Sequence, residues 1–364
     1  MSLTNIQFIS FIVILPCVLS TALVYFTIIF SKNHNLYDEV GGRKIHSGQI
    51  PRLGGVGFVL AFTLSCVIVY FRFPGLLVIS EKFLVLIVAS MVIFFMGLVD
   101  DLKNLQAIYK LITQLIVASI VVFAGYHFTK ISFAPIGLFL SLGIFSYPIT
   151  ILWIAGVINA VNLMDGIDGQ VGCLSISLLI SYTVLFYYND SASNLKLVYL
   201  CIILVFSILG FLFFNLSYPN AKIFMGDSGS QFLGFVLSLL PLFPKADGYE
   251  TATIPFAILF LMLPIFDMIA AIVRRIRDKK QIRDGDKLHM HHKLMLIGFS
   301  QRGALLTFMI LQIITSIFVS LAVVLQGIMA LTTLIGLVLV GILFFMLIHF
   351  EKENHLKQNE DLGK

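Results

Sequence analysis

The sequence predicts an all-α, polytopic integral membrane protein of about eleven transmembrane helices, N-terminus outside and C-terminus cytoplasmic. Three observations carry this expectation. Of the 364 residues, 59% are hydrophobic and only 12% charged, against roughly 25% charged in soluble domains. Apolar runs of about 20 residues, the length a helix needs to cross a hydrocarbon core of ~30 Å, recur along the whole chain. Lys and Arg are segregated: 19 of the 24 fall in alternate loops and the tail, the bias expected of cytoplasmic segments.

The apolar segments are 6–30, 54–71, 82–99, 107–125, 138–161, 171–188, 196–214, 230–244, 252–273, 303–325 and 328–349. The first has no positive leader and no small-residue cleavage site, and its flanking charge is Lys32 on the far side. It is therefore expected to be a retained helix rather than a signal peptide. Alternation from an outside start places 31–53, 100–110, 162–169, 215–229, 274–302 and the tail in the cytoplasm. The segment 230–244 is short for a span. No loop exceeds about thirty residues, so residues 1–350 are expected to form one membrane domain and 351–364 a short, charged, frayed tail. The net charge of +5 is read as topological, with no nucleic-acid partner. Cys17, Cys66, Cys173 and Cys201 sit inside apolar runs without metal or disulfide spacing, and are expected to be packing residues.

Ionisable groups inside or at the edge of a bilayer are costly and by default functional. Asp100 and Asp101 end the third span. Adjacent helical residues diverge by about 100°, so one carboxylate can face a site and the other a neighbouring element. Asn159, Asn162, Asp165 and Asp168 recur every three residues, which on a helix places the first three on one broad face. Gly166 and Gly169 allow a turn or close backbone approach. Carboxamides and carboxylates so spaced suit a hard cation and its phosphates. Gly226-Asp227-Ser228-Gly229 opens the eighth span. It suits a tight anion-facing loop with a metal-holding carboxylate, although Gly-Asp-Ser is also an ordinary turn.

His289, His291 and His292 lie in the most basic loop, with Arg274, Arg275, Arg277, Lys279, Lys280, Arg283, Lys287 and Lys293. There is no His-Glu-x-x-His stretch, so a diphosphate or sugar ligand fits better than zinc. Ligand contact is assigned to the histidines and Arg275, and lipid contact to Lys279 and Lys280. In the first loop, Lys44 and His46 are candidates for substrate binding, with topogenic charge an equal explanation. Lys110 either snorkels to the interface or neutralises phosphate beside Asp101. Asp267, about two turns inside the ninth span, is expected to pair with Arg274.

Gly97-Leu98-Val99-Asp100-Asp101, Asn159 through Gly169, Phe224 through Ser230 and His289-Met290-His291-His292 together resemble the polyprenyl-phosphate N-acetylhexosamine-1-phosphate transferases. The match covers about 35–302 and is specific only as a set. His-x-His-His resembles the members that use undecaprenyl phosphate and UDP-GlcNAc. The resemblance implies transfer of GlcNAc 1-phosphate from UDP-GlcNAc to undecaprenyl phosphate with release of UMP. It implies Mg²⁺, with Mn²⁺ as substitute, in a bacterial inner membrane, as the first membrane step of an O-antigen or common-antigen type polysaccharide. It makes Asp227 the principal metal ligand with Asn162 close by. Asp100 becomes the group that deprotonates or attacks on the lipid-phosphate side, with Asp101 beside it. Phe224 stacks on uracil, Asp165 joins the nucleotide or metal site, Lys110 matches a basic residue after the acidic pair, and the histidines read the sugar. Asn104 and Gln170 depart from the family pattern and leave fine specificity open.

Asp100, Asp101, Asp165 and Asp168 are thus the expected catalytic groups, and Lys44, His46, Lys110, Asn159, Asn162, Phe224, Arg275, His289, His291 and His292 the expected substrate contacts. The expected metal ligands are Asp227 and Asn162. The expected partners are UDP-GlcNAc, undecaprenyl phosphate, membrane lipid and optionally a second copy of the chain in a homodimer. Alternatives are the same reaction on another UDP-N-acetylhexosamine or on UDP-MurNAc-pentapeptide. A secondary transporter is the rival from another class, but such sites lie at the bilayer midplane between repeats. Here the acids fall at helix ends and no repeat is visible.

Overall fold

The computed structural model describes residues 8–37, 50–77, 80–133, 137–188, 192–243, 252–279, 289–325 and 327–362. Lys44, His46 and Arg43 of the first loop, and Lys280, Arg283 and Lys287 of the basic loop, lie outside them. The helices are α1 Leu15–Asn33, entered through a π turn at Ser10–Ile14, α2 Gly54–Arg72, α3 Glu81–Lys103, α4 Ala107–Phe123, α5 Ser146–Met164, α6 Gln170–Tyr188 and α7 Ala192–Asn215. They continue as α8 Gly226–Leu239, α9 Ile254–Phe260, α10 Met262–Arg277, α11 Met290–Leu296, α12 Gln301–Val324 and α13 Ile328–Leu362. Large apolar side chains such as Phe71, Phe95, Leu152 and Phe213 face outward while Gln114, Asp100, Asp101 and Gln231 are buried. This inverts the soluble pattern and suits a hydrocarbon surround.

Among the described residues seven helices are long and apolar enough to cross a membrane, or eight if the bent pair α9–α10 is one span. The other three expected spans coincide with shorter helices: α4, the apolar stretch 328–344 of α13, and the 14-residue α8. The protein is a mostly helical, polytopic membrane protein.

Three sequence expectations are corrected. The segment expected to be helical from 138 begins as a strand: β1 Lys130–Phe133 pairs antiparallel with β2 Leu138–Ser141, Lys130 opposite Ser141. Gly143, at φ +49°, turns the chain before the helix begins, a conformation glycine adopts without steric cost. The ninth span is broken, with α9 and α10 meeting at 86°. Pro264 has no N–H to return to the Phe260 carbonyl, and Gln312 of α12 donates to that oxygen instead at 3.2 Å. The backbone of α13 is helical to Leu362, through the segment expected as a tail.

At the centre stands α8, packed against α2, α3, α5 and α6. Small residues make the approach close. A Cβ on Gly97 would lie 2.6 Å from the Asp227 carbonyl oxygen, and one on Gly55 2.3 Å from the Gly229 nitrogen. Without a hydrophobic drive between helices in lipid, such van der Waals contact and interhelical hydrogen bonds supply the association.

Candidate active site

The start of α8 is fixed from two sides. The segment before α2 pairs with residues 224–225: Phe224 N–H donates to Pro51 O at 2.8 Å, Gly54 N–H to Phe224 O at 2.9 Å, and Gly55 N–H to Met225 O at 2.7 Å. From α3, the buried Asp101 accepts the N–H of Asp227 at 2.8 Å and of Ser228 at 3.0 Å. These are first-turn donors without partners inside their own helix, and a carboxylate there also complements the helix dipole. Gly226 sits at φ +76°, and a Cβ would meet the Arg52 carbonyl oxygen at 2.1 Å. The Gly-Asp-Ser-Gly segment is therefore a tight turn that opens α8 and fixes the position of Asp227.

Asp100, one position back on α3, faces the other way. Its Oδ1 accepts the Leu105 N–H at 2.7 Å and its Oδ2 the Lys110 ammonium at 2.6 Å. Lys110, the first-turn lysine of α4, also reaches Asp227 Oδ2 at 3.3 Å. Asp227 Oδ1 in turn accepts from Asn162 Nδ2 of α5 at 2.7 Å, and the same amide donates to Ser230 Oγ at 2.9 Å. Two carboxylates, an ammonium, a carboxamide and a hydroxyl from four helices thus share one polar patch. The ammonium offsets the mutual repulsion of the two acids, and Asp100 is tied to the N–H that follows its helix. Those contacts answer the unfavourable dipole of an acidic helix end.

One helical turn deeper lies a second polar layer. Asn159 Nδ2 donates to Gln114 Oε1 at 2.6 Å, and Gln114 Nε2 donates to Gln231 Oε1 at 3.1 Å. Each member sits three or four residues from a member of the upper layer, on α5, α4 and α8. Asn159, a substrate contact in the sequence expectation, has its amide donor in this layer. Gln114 and Gln231 were missed, although an amide inside an apolar run is a readable sign of a partner.

The helical face expected to carry Asn159, Asn162 and Asp165 ends early. Helix α5 stops at Met164, and Asp165 is its non-helical cap at ψ 60°. Asp165 is exposed and Asp168 half-buried in the following turn. Gly169 closes that turn at φ +79° and donates its N–H to Asn215 Oδ1 at 2.7 Å. Of the five aspartates, Asp100 and Asp227 share Lys110, Asp101 holds backbone N–H groups of α8, and Asp165 and Asp168 lie in the turn that follows α5.

The histidines form a second group. His291 is 2% exposed, and neither ring nitrogen has a hydrogen-bond partner. Its ring abuts Gly166, where a Cβ would come within 2.2 Å, so the histidine segment touches the turn after α5. Burial first, then the neighbouring His292 and His289, push the His291 imidazole down to about 3. His289 pairs through Nδ1 with Asp267 Oδ2 at 2.9 Å. The sequence expectation paired Asp267 with Arg274; in the structure its two oxygens engage His289 and the Met290 N–H. Arg275 is buried and its Nε lacks a hydrogen-bond partner. Phe224 is half-buried beside the start of α8. Arg52 donates to Asn104 Oδ1 at 3.1 Å, and Asn104 ends α3 in the left-handed conformation. A carboxamide is well suited to that backbone.

Among the described residues no three His, Cys, Asp or Glu side chains converge as a metal cage. The donors of the patch still fit a small hard cation. Magnesium takes one or two carboxylates and completes its shell with water and substrate phosphate. Asp227 supplies the carboxylate and Asn162 a carboxamide, whose oxygen and nitrogen are assigned by the hydrogen-bond network alone. An apolar cavity of about 240 Å³, walled by Phe62, Phe83, Leu86, Leu204, Phe232 and Phe243, is unsuited to phosphate. It lies toward the end of α3 opposite Asp100.

A partly buried, charge-compensated acid–ammonium–amide patch at the ends of membrane helices fits an integral membrane enzyme that handles anionic substrates. Residues 83–244 match the family described as glycosyl transferase family 4. The chain is 35% identical over 280 residues to a probable undecaprenyl-phosphate N-acetylglucosaminyl 1-phosphate transferase of Bacillus subtilis, covering 77% of this chain and 75% of that one. It is 32% identical to a decaprenyl-phosphate N-acetylglucosaminephosphotransferase of Mycobacterium leprae, over 72% and 71%. It is 28% identical to the undecaprenyl-phosphate alpha-N-acetylglucosaminyl 1-phosphate transferase of Escherichia coli K12, over 78% and 76%. The chain belongs to this family of membrane phosphotransferases.

Proposed function

We propose that the protein transfers N-acetylglucosamine 1-phosphate from UDP-GlcNAc to undecaprenyl phosphate, giving undecaprenyl-diphospho-GlcNAc and UMP. The observation that carries this reading is Lys110 held between Asp100 and Asp227, with Asn162 on the far oxygen of Asp227. An oxygen of the lipid phosphate attacks the sugar-linked phosphorus of UDP-GlcNAc. The bond from that phosphorus to the bridging oxygen breaks, and UMP leaves with that oxygen. Such transfer needs positioned, charge-compensated phosphates more than covalent machinery. Asp100 takes a proton from the lipid phosphate, and Lys110 neutralises negative charge beside it. Phe224 stacks on the uracil, and Asp165 and Asp168 serve the nucleotide side from the adjoining turn. The histidines and Arg275 read the sugar and diphosphate, with Lys44 and His46 of the first loop as further contacts. Asp227 and Asn162 hold Mg²⁺, replaceable by Mn²⁺. When bound, the cation neutralises diphosphate charge that develops during transfer.

The membrane arrangement follows from the same reading: eleven spans, N-terminus outside and the patch facing the cytoplasm of a bacterial inner membrane. The charge bias supports this orientation. The product would begin an O-antigen or common-antigen type polysaccharide. The test is UMP release by purified enzyme from a panel of UDP-N-acetylhexosamines and UDP-MurNAc-pentapeptide, each with and without polyprenyl phosphate and Mg²⁺. UDP-GlcNAc should give lipid- and metal-dependent UMP. Preference for another donor would reassign the sugar, and release from none would sink the reading.

A further inference from the structure

Asp267 lies inside α10, away from Asp100 and Asp227 in sequence, yet it is only 5% exposed and both of its oxygens are engaged. Oδ2 meets His289 Nδ1 at 2.9 Å, and Oδ1 accepts the Met290 N–H at 3.0 Å. A carboxylate only accepts, so the nitrogen facing it carries the proton, and His289 is left with Nε2 as its outward nitrogen. Among the described residues Nε2 has no hydrogen-bond partner. The His289 ring lies parallel to His291, with centroids 5.9 Å apart and planes at 6°. The His291 ring in turn rests on Gly166 of the turn that follows Asn162. One buried carboxylate therefore sets the tautomer of His289, starts α11, and seats the row of imidazoles against the α5–α6 turn.

We propose that Asp267 is a positioning residue for the nucleotide-sugar: it holds His289 with its proton on Nδ1, so that Nε2 is the nitrogen presented to the sugar-diphosphate. The proposal rests on the function given above. Asparagine would keep the Met290 N–H on its oxygen and turn its NH₂ toward His289, which favours the opposite tautomer, with Nδ1 accepting and the proton on Nε2.

The test is a double-mutant cycle on purified enzyme with D267N, H289A and the double variant. KM for UDP-GlcNAc, KM for polyprenyl phosphate, kcat and Tm are read for each. D267N should raise the KM for UDP-GlcNAc by about tenfold, the scale of a lost hydrogen bond to a charged group. It should leave the KM for polyprenyl phosphate within about twofold, and add little once His289 is alanine. Multiplicative losses in the double variant, or equal losses toward both substrates, would overturn the proposal and leave a purely structural cap. A second measurement uses the unaltered protein and stands if D267N does not fold. In ¹⁵N-histidine spectra, with His289 assigned by its loss in H289Q, Nδ1 should carry the proton. A neutral His289 protonated on Nε2 alone would overturn the proposal. Should the enzyme turn over no UDP-N-acetylhexosamine, the functional reading fails, while the tautomer measurement still decides the role of Asp267.

Discussion

The carboxylate of Asp101 grips the backbone of Asp227, accepting its N–H at 2.8 Å and that of Ser228 at 3.0 Å. The acid that neighbours Asp100 in sequence thus acts on the position of Asp227, and the two members of the pair do different work. Asp101→Asn leaves one acceptor for two buried donors. It should lower stability by about 1–3 kcal/mol and displace Asp227, with kcat falling more than tenfold. Thermal unfolding in detergent together with UMP release checks both. Unchanged Tm and activity would contradict the capping role.

Asp100 pairs with Lys110 and holds the Leu105 N–H but, unlike Asp101, no backbone N–H of α8, so its substitution should leave the fold and the donor site in place. Asp100→Asn is expected to abolish turnover while UDP-GlcNAc binding, measured by calorimetry, stays within about threefold. Loss of binding would move Asp100 to the nucleotide side.

Lys110 is the cation that lets Asp100 and Asp227 stand together. Lys110→Met should reduce kcat by about 10² or more, the scale of removing one preorganised charge partner of a transition state. Lys110→Arg should recover little, because a planar guanidinium cannot fill the site of a compact ammonium. Full activity in either variant would make the lysine an interfacial anchor.

Metal removal should be reversible. EDTA-treated enzyme should release no UMP and regain activity with Mg²⁺ or Mn²⁺. Asp227→Asn should raise the Mg²⁺ concentration needed for half-maximal rate. Activity that survives exhaustive chelation would argue against cation chemistry here.

His291 supplies a pH test. Its imidazole is pushed down from 6.5 to about 3 by burial, so the folded state binds fewer protons than the unfolded state between these values. The sign follows from linkage: the neutral ring's contribution is intact above about pH 6.5 and is lost progressively as pH falls toward 3. Tm of the unaltered protein should therefore drop more steeply below pH 6 than that of His291→Phe. Parallel curves would contradict the burial of the ring.

Two glycines separate packing from propensity. A Cβ on Gly97 would press on the backbone of Asp227 and Ser228, whereas one on Gly156 meets nothing within 4 Å. Gly97→Ala should destabilise by about 1–3 kcal/mol through overpacking. Gly156→Ala should be neutral or gain up to about 1 kcal/mol from helix propensity.

Much of the site was legible before folding because charge is scarce in this chain. In a membrane segment every Asp, Asn or Lys needs a reason, so Asp100, Asp227, Asn162 and Lys110 stood out on composition and position alone. Gln114 and Gln231 did not, because an uncharged amide breaks an apolar run less visibly. Asp165 was misread as part of a helical face. The three-residue period continues past Met164 in sequence, but the two glycines of the next turn stop the helix. The break between α9 and α10 was also hidden, since hydropathy does not register that a proline leaves a carbonyl for Gln312 to satisfy.

By itself the sequence determined the solvent of this protein and which of its polar groups stand out. Long apolar runs demand lipid, and a polar or charged side chain inside them is rare enough to mark a candidate site. Tertiary structure alone decided which of those groups meet. Asp100 and Asp101 are identical and adjacent in the chain, yet a helix sends them in directions about 100° apart. One reaches Lys110 and the other the start of α8, because the packing of α3, α4 and α8 puts different partners in those two directions.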